Sequence, residues 1–127
     1  MSHAITRQIE VSVAPTYHPE HSEPGRNRWF FSYTIRITNH GADVVQLLSR
    51  HWIITNAHGV REEVRGSGVV GEQPVLAPGE HFEYTSFCPL STSLGSMEGS
   101  YQIVNDAGER FDVKIPPFAL VDPSTEQ

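Results

Sequence analysis

Three places in this chain bring together residue types that could do chemistry. The first is Gly66-Ser67-Gly68-Val69-Val70-Gly71. It has the G-x-G-x-x-G spacing in which glycines let backbone N–H groups approach a pyrophosphate and a following helix completes the site. Arg61 and Arg65 stand just before it and would add positive charge to an anion cradle of backbone amides. The second is His18-Pro19-Glu20-His21, with Glu23 beyond. Two imidazoles and two carboxylates in one loop suit zinc, nickel or cobalt, with His18, Glu20 and His21 as candidate ligands. The third is Tyr84 to Gly95, which offers hydroxyls and the Cys88 thiol. It lacks the G-x-S-x-G elbow of a serine nucleophile. Cys88 lies between Phe87 and Pro89, which reads as a partly buried and inert thiol. Glu62 and Glu63 point to opposite faces of a strand and do not form an acid/base pair.

The elements that must position these residues limit what they can do. Val60 to Arg65 reads as a strand leading into the glycine motif. Glu72-Gln73-Pro74 and Pro78-Gly79 follow the motif, so no helix runs on from it and no βαβ unit is completed. What remains is a tight loop whose glycines supply positive φ, or a small anion cradle. The His18 loop belongs to a polar stretch, Pro15 to Arg28, in which neither helix nor strand fixes a ligand geometry. Its plain reading is a solvated loop.

Ten Gly and nine Pro, spread along the chain, disfavour long helices. Period-two alternation marks strands instead. Ile5, Ile9, Val11 and Val13 read as one strand, and Trp29, Phe31, Tyr33, Ile35 and Ile37 as the clearest one. Ala42 to His58 reads as a long strand that carries Trp52 into the core. Further strands are expected at Val60 to Arg65, His81 to Phe87, from Tyr101, and from Phe111 to Ile115, where Pro116-Pro117 ends the last. Asn105-Asp106-Ala107-Gly108 reads as a hairpin loop, and Pro78-Gly79 as a type II turn. About seven strands with frequent turns predict an all-β, two-sheet antiparallel sandwich of fibronectin type III or immunoglobulin kind.

The 127 residues make one domain, with a core at about residues 5–120 and a loose tail over 121–127. Fifteen acidic against nine basic residues give a net charge of −6, which disfavours a nucleic-acid binder. Arg50, Arg61 and Arg65 are the residues from which a local basic patch could form. No run approaches the ~20 apolar residues of a membrane span, and Met1 to Gln8 carry no apolar signal core. A single cysteine permits no intramolecular disulfide. A cytoplasmic protein without a cofactor or membrane contact is expected.

Longer segments carry a family resemblance. Trp52-Ile53-Ile54-Thr55-Asn56, Val64 to Pro74, Leu76-Ala77-Pro78-Gly79-Glu80, Tyr84-Thr85-Ser86, Leu94 to Tyr101 and Ile115 to Leu120 resemble the ApaG family. Phe31 to Asn39 and Val45 to Arg50 continue the likeness, which covers about Ile5 to Pro123. The resemblance implies a fibronectin type III-like sandwich in a bacterial cytosol. It implies a gene neighbourhood with a diadenosine tetraphosphate hydrolase and an rRNA dimethyltransferase, and a link to cobalt and magnesium tolerance. Related domains in eukaryotic F-box proteins and in a DNA polymerase delta-interacting protein look like interaction modules. No catalytic residues carry over, and Gly66, Gly68 and Gly71 fall on the family's most recognisable loop. Where His21 stands, the family often has Gln.

Two functions are therefore expected. The first is a non-catalytic module that binds a protein partner through loops or a sheet edge. Its candidate contacts are Arg61, Arg65, Gly66, Ser67, Gly68 and Gly71. The alternative is a responder to phosphate, pyrophosphate or a divalent metal, tied to dinucleoside polyphosphate or cobalt and magnesium homeostasis. Hydrolysis of phosphorylated nucleotides ranks last, because clustered carboxylates are missing.

Overall fold

The structure is a computed structural model and describes residues 2–125. Nine strands follow in order: β1 (Ser2–Thr6), β2 (Ile9–Tyr17), β3 (Trp29–Asn39), β4 (Val45–Asn56), β5 (Arg61–Ser67), β6 (Val75–Leu76), β7 (His81–Leu90), β8 (Leu94–Asn105) and β9 (Arg110–Val121). They form two antiparallel sheets. One has the order β1-β2-β3-β7 and the other β5-β4-β8-β9, with β6 paired to β4. Alternate residues from both sheets fill the space between them. Val11, Val13, Ile35, Tyr101, Val113, Ile115 and Leu120 are fully buried there. Trp52 is buried as expected and meets Tyr33 and Phe118 edge-on, at 5.3 and 6.0 Å between ring centroids. The all-β sandwich is the architecture that the alternation predicts.

Five readings of the sequence need correction, each for a local reason. Ile5 and Ile9 do not share a strand. Arg7 and Gln8 take positive φ (48° and 67°) and turn β1 back onto β2. A tight turn without Gly or Asn leaves no sequence signal. Pro15 does not end β2, which runs on to Tyr17. β1 pairs only as far as Val13, so Pro15 lies where one side of β2 is open. Pro116 and Pro117 do not end β9. They sit in a bulge, between the pairs Met97↔Phe118 and Gly99↔Ile115, where missing amides are tolerated.

The Ser- and Gly-rich stretch before Tyr101 is also strand. Added Cβ atoms at Gly95 and Gly99 would lie 2.6 Å from Thr55 O and 2.0 Å from His51 O, so glycine allows β4 to approach there. The tail is tied as far as Ser124. Val121 closes β9, Trp29 Nε1 donates to Asp122 Oδ2 at 3.2 Å, and Pro123–Thr125 forms a 3-10 turn. Residues 126–127 of the expected tail lie outside the described residues.

Candidate functional site

The glycine motif leaves β5 and folds into a two-residue hairpin. The Val69 amide donates to Glu72 O (2.8 Å) and the Glu72 amide to Val69 O (2.9 Å). Val70 and Gly71 at the tip both have positive φ, 44° and 82°, the pattern of a type I′ turn. Val69 is buried, whereas Val70 is 52% exposed. The Gly68 amide donates to Leu48 O at 2.8 Å. A Cβ on Gly68 would lie 2.3 Å from Glu72 O, so only glycine fits there. The amides of Gly68, Val69 and Glu72 are thus spent on the backbone carbonyls of Leu48, Glu72 and Val69 rather than turned toward an anion.

The cation that serves this loop is Arg50, not Arg61 or Arg65. Arg50 Nη1 donates to Ser67 O (3.0 Å) and Gly68 O (2.9 Å). Its guanidinium lies flat over Gly66, where an added Cβ would be 2.8 Å from Nη1. Arg50 projects between the sheets, because Leu47 and Trp52 bury their side chains on that face and a bulge lies between Leu47 and Ser49. Arg61, Glu63 and Arg65 alternate onto the outer face of β5. The three arginines therefore do not make one basic patch. His51 Nε2 reaches Glu63 Oε1 at 2.8 Å, and this bond holds the Glu63 carboxyl below its ordinary pKa.

Below Arg50 a cleft of about 520 Å³ opens between β5 and β7. Trp52, Ile54, Val64, Leu90 and Met97 give it an apolar floor, and Arg50, Glu62, Tyr33 and Ser86 give it polar positions. Burial raises the pKa of the Tyr33 hydroxyl, and the neighbouring Ser86 side chain opposes the rise. The Tyr84 and Tyr101 hydroxyls bond each other in the interior, and burial raises both. Cys88 also lines the cleft. Burial, with a smaller push from Glu62, raises its thiol to about 11, so it stays protonated and a poor nucleophile at neutral pH. His81, at the start of β7, contacts Arg36 at 3.3 Å. The structure thus groups Arg50, Tyr33 and Ser86, which no sequence motif links. Their shared direction follows from strand alternation in two different sheets.

The histidine loop is compact. Pro19–His21 and Pro24–Arg26 form 3-10 turns. His18 Nδ1 lies 3.0 Å from Glu20 Oε1, and His18 Nε2 lies 2.7 Å from Ser32 Oγ. His21 Nε2 is 3.9 Å from the same Glu20 oxygen. Both nitrogens of His18 are therefore engaged within the chain. Among the described residues, no group of three or more His, Cys, Asp and Glu is arranged to hold a metal ion. Nor, among the described residues, is any helix long and apolar enough to cross a membrane.

Known proteins share this arrangement over the whole chain. The sequence pattern of the ApaG domain matches residues 19–105. The chain is 58% identical over 127 residues to Protein ApaG of Bradyrhizobium diazoefficiens, covering 100% of this chain and 98% of that one. It is 60% identical over 125 residues to Protein ApaG of Anaeromyxobacter sp. strain K, covering 98% of each. A crystal structure from Bordetella pertussis, described as an ApaA protein, matches with a TM-score of 0.89. It is 53% identical and covers 92% of this chain and 95% of that one. With the matched pattern spanning the cleft and the glycine hairpin, the chain belongs to the ApaG family.

Proposed function

We propose that this domain is a non-catalytic binding module for a protein partner, with the 66–71 hairpin tip as the contact. One observation carries the reading. Val70 is a β-branched residue held at φ 44° and left 52% exposed. Such a conformation costs of order 1–3 kcal/mol, and an exposed side chain recovers little of that by packing. A strained apolar residue at a rigidly braced tip is suited to contact with another molecule. The brace is Arg50, whose bonds to Ser67 O and Gly68 O fix the base of the hairpin. The anion-responder reading draws less support, because the Gly68, Val69 and Glu72 amides already donate to backbone carbonyls.

The test is Val70→Asn, which puts Asn-Gly at the turn and removes the apolar contact. Affinity purification from native cytosol with wild type and variant would be compared quantitatively. Selective loss of a partner with the more stable variant is the expected outcome. Equal recovery of every protein would overturn the hairpin as the contact.

A further inference from the structure

We infer that the open edge of β5 is built to pair with β5 of a second copy of this chain, in an antiparallel register centred on Val64. This goes beyond the proposed partner contact, which is the hairpin tip and not the strand edge. β5 ends its sheet. Its ladder phase follows from two bonds to β4: Asn56 N to Val60 O (3.0 Å) and Gly68 N to Leu48 O (2.8 Å). With the register Ser49↔Ser67 to Thr55↔Arg61, even-numbered residues of β5 bond to β4. The odd-numbered residues Arg61, Glu63, Arg65 and Ser67 turn their amides and carbonyls to the open edge.

Charge selects both the occupant and the register. A two-fold centred on Val64 places Glu63 opposite Arg65 of the other copy, and Arg65 opposite the other Glu63. Both pairs lie on the outer face, at positions that exchange backbone hydrogen bonds. On the inner face Val64 meets its own counterpart, and Glu62 of one copy falls opposite Gly66 of the other. Gly66 has no side chain, and the Arg50 guanidinium lies over it, 2.8 Å from where a Cβ would be. Glu62 of one copy therefore meets Arg50 of the other. Arg50 Nη1 already reaches Ser67 O, a carbonyl on the open edge. Both of Arg50's bonds through Nη1 go to backbone carbonyls, which leaves its charge available to a carboxylate.

Neighbouring registers fail. Centring on Glu63 or Arg65 sets like charges face to face, and a slip that pairs odd with even residues puts the side chains on opposite faces. Exposed edge strands are commonly guarded by charge against chance pairing. Here the pattern rejects other strands and other registers but matches itself. Seven residues per strand make a small interface, so the dimer is weak and concentration-dependent.

Sedimentation velocity over a concentration series, on the full chain at low and high salt, is the test. The expected result is a monomer–dimer equilibrium that shifts toward monomer with salt. Glu63→Arg and Arg65→Glu each turn two attractions into two repulsions, and each should raise Kd at least ~tenfold. The combined exchange sets opposite charges face to face again and should return Kd to within about threefold of wild type. Both positions are exposed, and thermal unfolding of each variant confirms that it is folded. Arg50→Met, read in the same way, weakens the dimer through the inner face. A monomer at every concentration, a dimer indifferent to the single exchanges, or a double exchange without recovery overturns the inference. Val70→Asn leaves this dimer intact, so failure here and failure of the hairpin contact are read separately.

Discussion

On one flank of the sandwich β1 and β2 fold over β9. The Lys114 amide donates to Thr6 Oγ1 at 3.2 Å, Arg7 pairs with Glu109 at 2.7 Å, and the Arg7 guanidinium covers the Phe111 ring at 4.3 Å. On the other flank β5 and β7 face each other across the cleft, and among the described residues no hydrogen bond or ion pair joins them. The closed flank ties its two sheets together with side chains that serve only the fold. The open flank carries Arg50 and the glycine hairpin above the cleft, with Cys88 buried in the cleft wall. This difference, more than any motif, supports the proposed contact on the open flank.

The largest effect tests whether the open flank is a true part of the core. Trp52 forms the floor of the cleft and also meets Tyr33 and Phe118. Trp52→Ala should cost about 3–5 kcal/mol in denaturant unfolding. A cost below about 1 kcal/mol would mean that the cleft wall is only loosely packed.

Asn39 gives the matching test at the closed corner. It is fully buried, and its amide donates to Asp43 O (2.8 Å) and Leu76 O (3.0 Å) while its oxygen accepts from the Gly41 amide (2.9 Å). Asn39→Ala strands those backbone groups and should cost about 2–3 kcal/mol by the same measurement. An unchanged midpoint would show that water replaces the side chain there.

The closed flank was less legible in the sequence than the open one. Its turn at Arg7-Gln8 lacks turn residues, and the prolines of β9 mark a bulge where they read as a strand end. Long strands such as β3 and β4 were legible because alternation is a local property. Cys88 was legible as buried because its neighbours are Phe87 and Pro89. Grouping Arg50 with Tyr33 and Ser86 needs the facing of two sheets, and residues 33, 50 and 86 are far apart in the chain. The Gly66–Gly71 motif was legible as a loop. Its amide bonding, which decides what the loop can hold, depends on Leu48 in another strand.

A smaller effect distinguishes the two flanks by pH. The Cys88 thiol, at the cleft, is raised by burial to about 11 from 9.0. The folded state therefore holds this proton more tightly than the unfolded state. Its stabilisation is complete below the unfolded value and is lost as pH rises toward the folded one. The buried tyrosines act in the same direction, so the comparison is wild type against Cys88→Ala. The alkaline fall in thermal midpoint should be shallower in the variant. Parallel curves would show that the thiol is as exposed as the open cleft around it.

The smallest effect has the opposite sign, and it sharpens the contrast most. Closed-flank residues should lose stability when changed, because each was placed for the fold. Val70 at φ 44° should gain it. Asn accepts the left-handed region, and Asn-Gly is a favoured type I′ pair, so Val70→Asn relieves strain that Val70 stores. The expected gain is about 1 kcal/mol in unfolding free energy. Little apolar burial is forfeited, because the side chain is exposed. The turn bonds between Val69 and Glu72 are backbone bonds and survive the change. A gain in stability together with a loss of partner would separate the two roles of the hairpin. A loss of stability would mean instead that Val70 packs across the smaller pocket that it lines with Tyr33 and Tyr84, and that the hairpin belongs to the core.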